Sequence, residues 1–190
     1  MQPPDDENNK NGLPATFTSG FSLAPRNLEE AMKLAEMICN TEIVPKNFKG
    51  KAGDTLVAMM LGSEVGLNPL QSLSNIAVIN GRPSIWGDAM LALCLKNPNF
   101  NFITETLDPT TMTATCTVSR KGGVPHTVTF NEEDAKTAGL LGKAGPWTNY
   151  KKRMLQKRAR GFALRDQFAD SLHGLITQEE ARDITDITQD

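Results

Sequence analysis

The chain has 190 residues, 39% hydrophobic and 22% charged, with a net charge of −2. This composition excludes a collagenous or wholly disordered chain, and at this length a core can form without disulfides or a structural metal. Apolar runs fall far short of the ~18 residues that span a bilayer, and the acidic start Met1-Gln2-Pro3-Pro4-Asp5-Asp6-Glu7 lacks the pattern of a secretory signal.

Residues 1–25, rich in Asn, Pro, Gly and Ser, read as a disordered or loosely docked tail, residues 26–185 as the folded unit, and residues 186–190 as a polar C-terminal tail. Asn27 is placed to cap a first helix, with Glu29 and Glu30 in its first turn and an end near Asn40. After a basic loop, Asp54 is expected to cap a second helix closed by Gly66, and Pro69, Leu70 and Leu73 add a further helical turn. Ile76 to Ile79 is a short β-branched run, Asn80-Gly81 a strong turn signal, and Arg82 to Trp86 the returning strand of a hairpin. Pro83 marks that strand as an edge, because proline cannot donate to a ladder.

An amphipathic helix over 88–96 follows, stopped by Asn97-Pro98. Strand patterns at 100–107, 111–120 and 124–131, separated by Asp108-Pro109-Thr110 and Lys121-Gly122-Gly123, predict a three-stranded antiparallel meander. In its middle strand Met112, Ala114, Cys116 and Val118 alternate with Thr113, Thr115, Thr117 and Ser119, so one face is apolar and the other polar. A short helix over 132–137, a glycine-rich loop over 139–145, a long basic helix from Trp147 to about Gln167, and a last helix begun by a Thr177/Glu180 capping box complete the pattern. The class is α+β: a β-hairpin and a three-stranded antiparallel sheet packed with helices, one of them long and basic.

Charge is uneven. Residues 143–165 hold eight basic side chains, Lys143, Lys151, Lys152, Arg153, Lys157, Arg158, Arg160 and Arg165, and no Asp or Glu, which leaves 12 basic against 22 acidic residues elsewhere. An anion site on an otherwise acidic protein has this signature, and so has a solvated helix face. At 100° per residue Lys151, Arg158 and Arg165 fall within about 40° of one another, Arg153, Lys157 and Arg160 form a second row, and Leu155, Ala159 and Phe162 form the buried stripe. One row suits a phosphate backbone; the other suits solvent, an acidic neighbour or a second subunit. Trp147 and Tyr150 stand where bases could stack, or where they simply pack.

Enzymatic readings find little support. Gly142-Lys143 is followed by Ala144, with Thr137 where a phosphate loop needs its first Gly, so ATP-driven chemistry is not indicated. His126 and His173 have no companions at metal-site spacing and read as structural or surface groups, and Cys39, Cys94 and Cys116 read as small core hydrophobes in a reducing cytoplasm. Glu132, Glu133 and Asp134 could hold Mg²⁺ for a nuclease, but stabilisation of a helix N-terminus explains them better.

A series of short matches adds a family. Val44-Pro45, Gly66-Leu67-Asn68-Pro69-Leu70-Gln71, Val78-Ile79-Asn80-Gly81-Arg82-Pro83, then Trp147, Tyr150, Met154-Leu155, Arg158-Ala159, Arg165, Phe168, Gly174 and Glu179-Glu180 resemble the RecT family of phage and prophage single-strand annealing proteins. The matches run in order from about residue 28 to 184, and the basic block also resembles that of the more distant Bet-type annealing proteins. The resemblance implies a cytoplasmic, ATP-independent recombinase. Such a protein binds single-stranded DNA, holds the annealed duplex, self-associates as a ring or helical filament, and works beside a phage exonuclease and the host single-strand-binding protein. It implies no cofactor, with Mg²⁺ only as a modulator of annealing, and a mixed fold like the one read above. Carried over by position, Arg158 and Arg165 rank first for backbone contact, with Lys152, Arg153 and Lys157 as neighbours and Arg82 as a weaker candidate; Lys151, from its row on the helix, and Trp147, as a base-stacking residue, complete the DNA-binding set. Family members usually continue into a C-terminal domain that handles partner proteins, whereas the sequence given ends at Asp190. The alternative from the residues alone is a module that coats single-stranded nucleic acid without pairing it.

Overall fold

The computed structural model describes residues 25–79 and 81–184. Most of the expected N-terminal tail, the hairpin residue Asn80 and the expected C-terminal tail lie outside the described residues. Helix α1, Leu28–Cys39, starts as its sequence directs: the Asn27 side chain accepts from the Glu30 N–H at 2.9 Å, and Glu30 reaches back to the Arg26 N–H at 2.8 Å. Helix α2, Ala52–Glu64, begins earlier than predicted, with Lys51 at the cap and Asp54 in the first turn, where its charge still favours the helix dipole. Gly66, at φ +79°, ends it, and the Gly66 and Leu67 N–H groups return to the Ser63 and Gly62 carbonyls. Helix α3, Pro69–Asn75, opens with proline at its first position and packs on α2 through a close approach of Gly62 to the buried Ser72.

Strands β1, Ile76–Ile79, and β2, Arg82–Ile85, form the expected hairpin, in register from Ile76 opposite Ile85 to Ile79 opposite Arg82. The edge assignment for β2 is corrected. A two-residue strand, Ile176–Thr177, pairs in parallel with Ser84 and Ile85, so β2 is the middle strand of a small mixed sheet. Pro83 does not prevent this, because the second ladder starts one residue beyond it.

Helix α4, Gly87–Lys96, buries Met90, Leu93 and Cys94. The meander then forms as read, with β3 (Phe100–Asp108), β4 (Thr113–Arg120) and β5 (His126–Phe130) in antiparallel order around β4. Ala114, Cys116 and Val118 point into the core, as the alternation requires. Helix α5, Glu132–Thr137, is closed at its start by a reciprocal capping box between Asn131 and Asp134, both bonds 2.9 Å.

The long basic helix is two elements. Pro146–Asn149 makes a short turn, α6, and Tyr150 leaves helical geometry (φ −134°, ψ 41°) before α7, Lys151–Gln167, begins. Helix α7 lies across the apolar face of the meander and touches α4 and the small sheet on its other side. Leu155 and Ala159 are buried as expected and Phe162 is half-buried, but Met154, Gly161, Ala163 and Leu164 are buried too, because the helix is covered on more than one side. A turn of helix α8, Ala169–Leu172, leads to the third strand of the small sheet, β6 (Ile176–Thr177), and to α9, Gln178–Ala181, capped by Thr177. Among the described residues no helix is long and apolar enough to cross a membrane.

Two outcomes test this packing. A Cβ at Gly62 would sit 2.0 Å from Ser72 Oγ, so Gly62→Ala should cost about 1–3 kcal/mol in denaturant unfolding by separating α2 from α3. Burial pushes the Cys94 and Cys116 thiols up to about 12, so a thiol reagent at pH 8 should leave both unmodified in the native protein and label them once it unfolds.

Candidate nucleic-acid interface

Helix α7 has no acid before Asp166, yet most of its cations are paired, each with a carboxylate from another element. Lys151 reaches Glu132 of α5 at 2.7 Å, and Lys157 reaches Glu179 of α9 at 2.6 Å. Arg165 bonds Glu180 at 2.9 Å. Arg160 forks onto both carboxylate oxygens of Glu105 on β3, at 2.9 and 2.8 Å, and gives a third bond of 3.1 Å to Asp88 of α4. Burial works against its charge, but Glu105 and Asp88 prevail and hold the guanidinium above its ordinary value.

Arg158 is as enclosed as Arg160. Its side chain is 9% exposed and ion-paired with Asp183, and Trp147, Phe130 and Phe162 lie about its guanidinium at 6.0, 6.0 and 5.8 Å. Burial pushes it below its ordinary value, opposed by Asp183 and Glu180. Asp183 also accepts from the Trp147 indole N–H at 3.0 Å and lies 3.6 Å from the Lys143 ammonium, so one carboxylate joins three side chains of the basic segment.

The residues singled out from sequence therefore divide. Arg158 and Arg165, first by resemblance for backbone contact, are engaged with Asp183 and Glu180, and a phosphate would have to replace those carboxylates to reach them. Trp147, 4% exposed, is a packed residue in this conformation and offers no free ring face. Lys157 is largely buried against Glu179. Lys152 and Arg82 are exposed and have no ion-pair partner among the described residues, and Arg153 is exposed with only a long 3.8 Å approach to Asp88. Lys152 and Arg153 follow Tyr150, 69% exposed, at the N-terminal end of α7; Arg82 stands apart at the start of β2.

Sequence reasoning missed the acids. The signal was present: a helix of such charge with a single acid near its end, packed into a core, must draw carboxylates from elsewhere, and Gln178-Glu179-Glu180-Ala181-Arg182-Asp183 lies shortly after it in the chain. It also missed Trp86, 39% exposed at the start of α4, with the Arg182 guanidinium 5.7 Å from its ring centre.

The acidic triplet of α5 is occupied locally: Glu132 by Lys151, Asp134 by its capping bond, and Glu133 by a 3.8 Å approach of Lys136. Among the described residues no group of three or more His, Cys, Asp or Glu side chains is arranged to hold a metal ion. His126 lies 2.9 Å from Asp166 at the sheet edge, and His173 takes a left-handed conformation at the end of α8. No protein-family model matches the chain, and no curated protein matches it.

Truncating the shared carboxylate is the sharpest check on this network. Asp183→Ala should lower stability by about 3–5 kcal/mol, since it strands the buried Arg158, whereas Arg153→Ala, which removes one exposed and distant partner, should cost less than about 1 kcal/mol. Urea unfolding of the two variants beside the parent protein makes the comparison.

Proposed function

We propose that this chain is an ATP-independent single-strand annealing protein of phage-type homologous recombination, acting in the cytoplasm as a ring or helical oligomer. The ordered RecT-like motifs supply the reaction class. The observation that carries the reading to a surface is the exposed aromatic and cationic end of α7, where Tyr150 stands beside Lys152 and Arg153. Planar side chains interleaved with free cations suit a single strand, which offers a phosphate and a stacking face at every nucleotide.

Physics then gives the mechanism. Two complementary strands repel through their phosphates, and cations that neutralise those charges release condensed counterions and favour assembly. With the backbone held by Lys152 and Arg153, and the base edges left outward, a second strand can test pairing. Specificity then belongs to Watson-Crick pairing rather than to side chains reading bases. Arg158 and Arg165 join only by exchanging Asp183 and Glu180 for phosphates, so they are later contacts in this scheme than Lys152 and Arg153. A phage exonuclease that makes the single strand and a host single-strand-binding protein are partners by family resemblance alone.

Two complementary labelled oligonucleotides, mixed without ATP and with or without the protein, should pair faster in its presence and remain full length on a denaturing gel. Binding with no acceleration would make the chain a coating module, and Mg²⁺-dependent shortening would point to a nuclease. Lys152→Ala and Arg153→Ala should each weaken binding to all sequences alike and flatten the log–log salt dependence by about one unit.

A further inference from the structure

We propose that Trp86, with Arg182 laid over one of its faces, is a base-stacking platform for a single nucleic-acid strand; this rests on the single-strand-binding reading above. Trp86 leaves the end of β2 and opens α4, and its backbone N–H is held by the Asn75 carbonyl at 3.1 Å, so the ring stands on two anchored elements. At 39% exposure the indole keeps ring surface available to a partner on a rigid base. The guanidinium that covers it comes from Arg182, itself exposed and free of any ion pair among the described residues. A guanidinium over an indole places a positive charge beside the ring, where a phosphate can reach it while the exposed part of the ring stacks on a base.

The surroundings favour a polyanion. Glu179 on α9 lies against Gly87, the residue after Trp86, and holds Lys157; Asp88, one residue further, holds Arg160 and is approached by Arg153. Glu179 gives one carboxylate oxygen to Lys157 while its Oε2 is buried without a hydrogen-bond partner among the described residues, Asp88 is shared by Arg160 and Arg153, and Arg153 and Arg182 are exposed. A strand with planar bases and phosphates finds a use for both the ring and the neighbouring cations.

The test is binding of a labelled oligo-dT to the whole chain across a salt series, with Trp86→Ala and Trp86→Phe compared. Trp86→Ala should weaken binding roughly tenfold or more with the salt slope unchanged, because stacking neutralises no phosphate, and Trp86→Phe should keep most of the affinity. Oligo-dT should also quench a tryptophan fluorescence component that Trp86→Phe lacks. Parent protein that binds oligo-dT while Trp86→Ala binds it equally well overturns the platform and leaves the single-strand reading standing; parent protein that does not bind overturns both. A Trp86→Ala protein that changes oligomer size with unaltered affinity per subunit would assign the ring to a second copy and also overturn the platform. If Trp86→Ala fails to fold, Trp86→Phe and the quenching decide.

Discussion

Enclosure of the α7 cations by acids from elsewhere is the constraint on which the structure turns. An ion moved from water into a protein interior loses several kcal/mol of hydration unless a well-placed counter-charge and hydrogen bonds replace it. Helix α7 must be covered, because Leu155, Ala159, Ala163 and Leu164 form part of the core, yet it carries seven cations against the single Asp166. The contradiction is resolved by sending Asp88, Glu105, Glu132, Glu179, Glu180 and Asp183 to it from four elements and the turn after α9. Each of those contacts also fixes where an element sits: Glu105 ties β3 to the helix, Asp88 ties α4, and Glu179 ties α9.

That arrangement separates two kinds of positive charge on one helix. Arg158 and Arg160 hold the fold together from inside, and their guanidinium groups are ion-paired with Asp183 and with Glu105 and Asp88. Lys152 and Arg153, about two turns earlier, reach solvent and add little to stability. A surface for polyanions needs cations of the second kind on a scaffold stiffened by the first, since a groove that reshapes itself on contact spends binding energy on ordering.

Local chemistry was legible in the sequence wherever one residue decides it. Asn27, Gly66 and Thr177 each close or open a helix where expected, and the alternation in β4 gave the buried face of the meander directly. What the sequence concealed were pairings between distant segments. Two residues, Ile176 and Thr177, are too few to show a strand period, so β6 and the central position of β2 were invisible. The break at Tyr150 was hidden because nothing but Pro146 interrupts the helical pattern there. The candidate site suffered most: a row of cations reads the same whether it faces solvent or acids brought from 20 or 70 residues away.

The order of these charges along the chain bears on synthesis. Asp88, Glu105 and Glu132 precede α7, so its early cations meet their partners as they emerge from the ribosome. Lys157, Arg158 and Arg165 depend instead on Glu179, Glu180 and Asp183, which are made after the helix. At translation rates of about 5–20 residues per second the helix stands with those cations uncovered for roughly one to a few seconds. During that interval Lys157, Arg158 and Arg165 lack their carboxylates, and they are covered only once Glu179, Glu180 and Asp183 have been made.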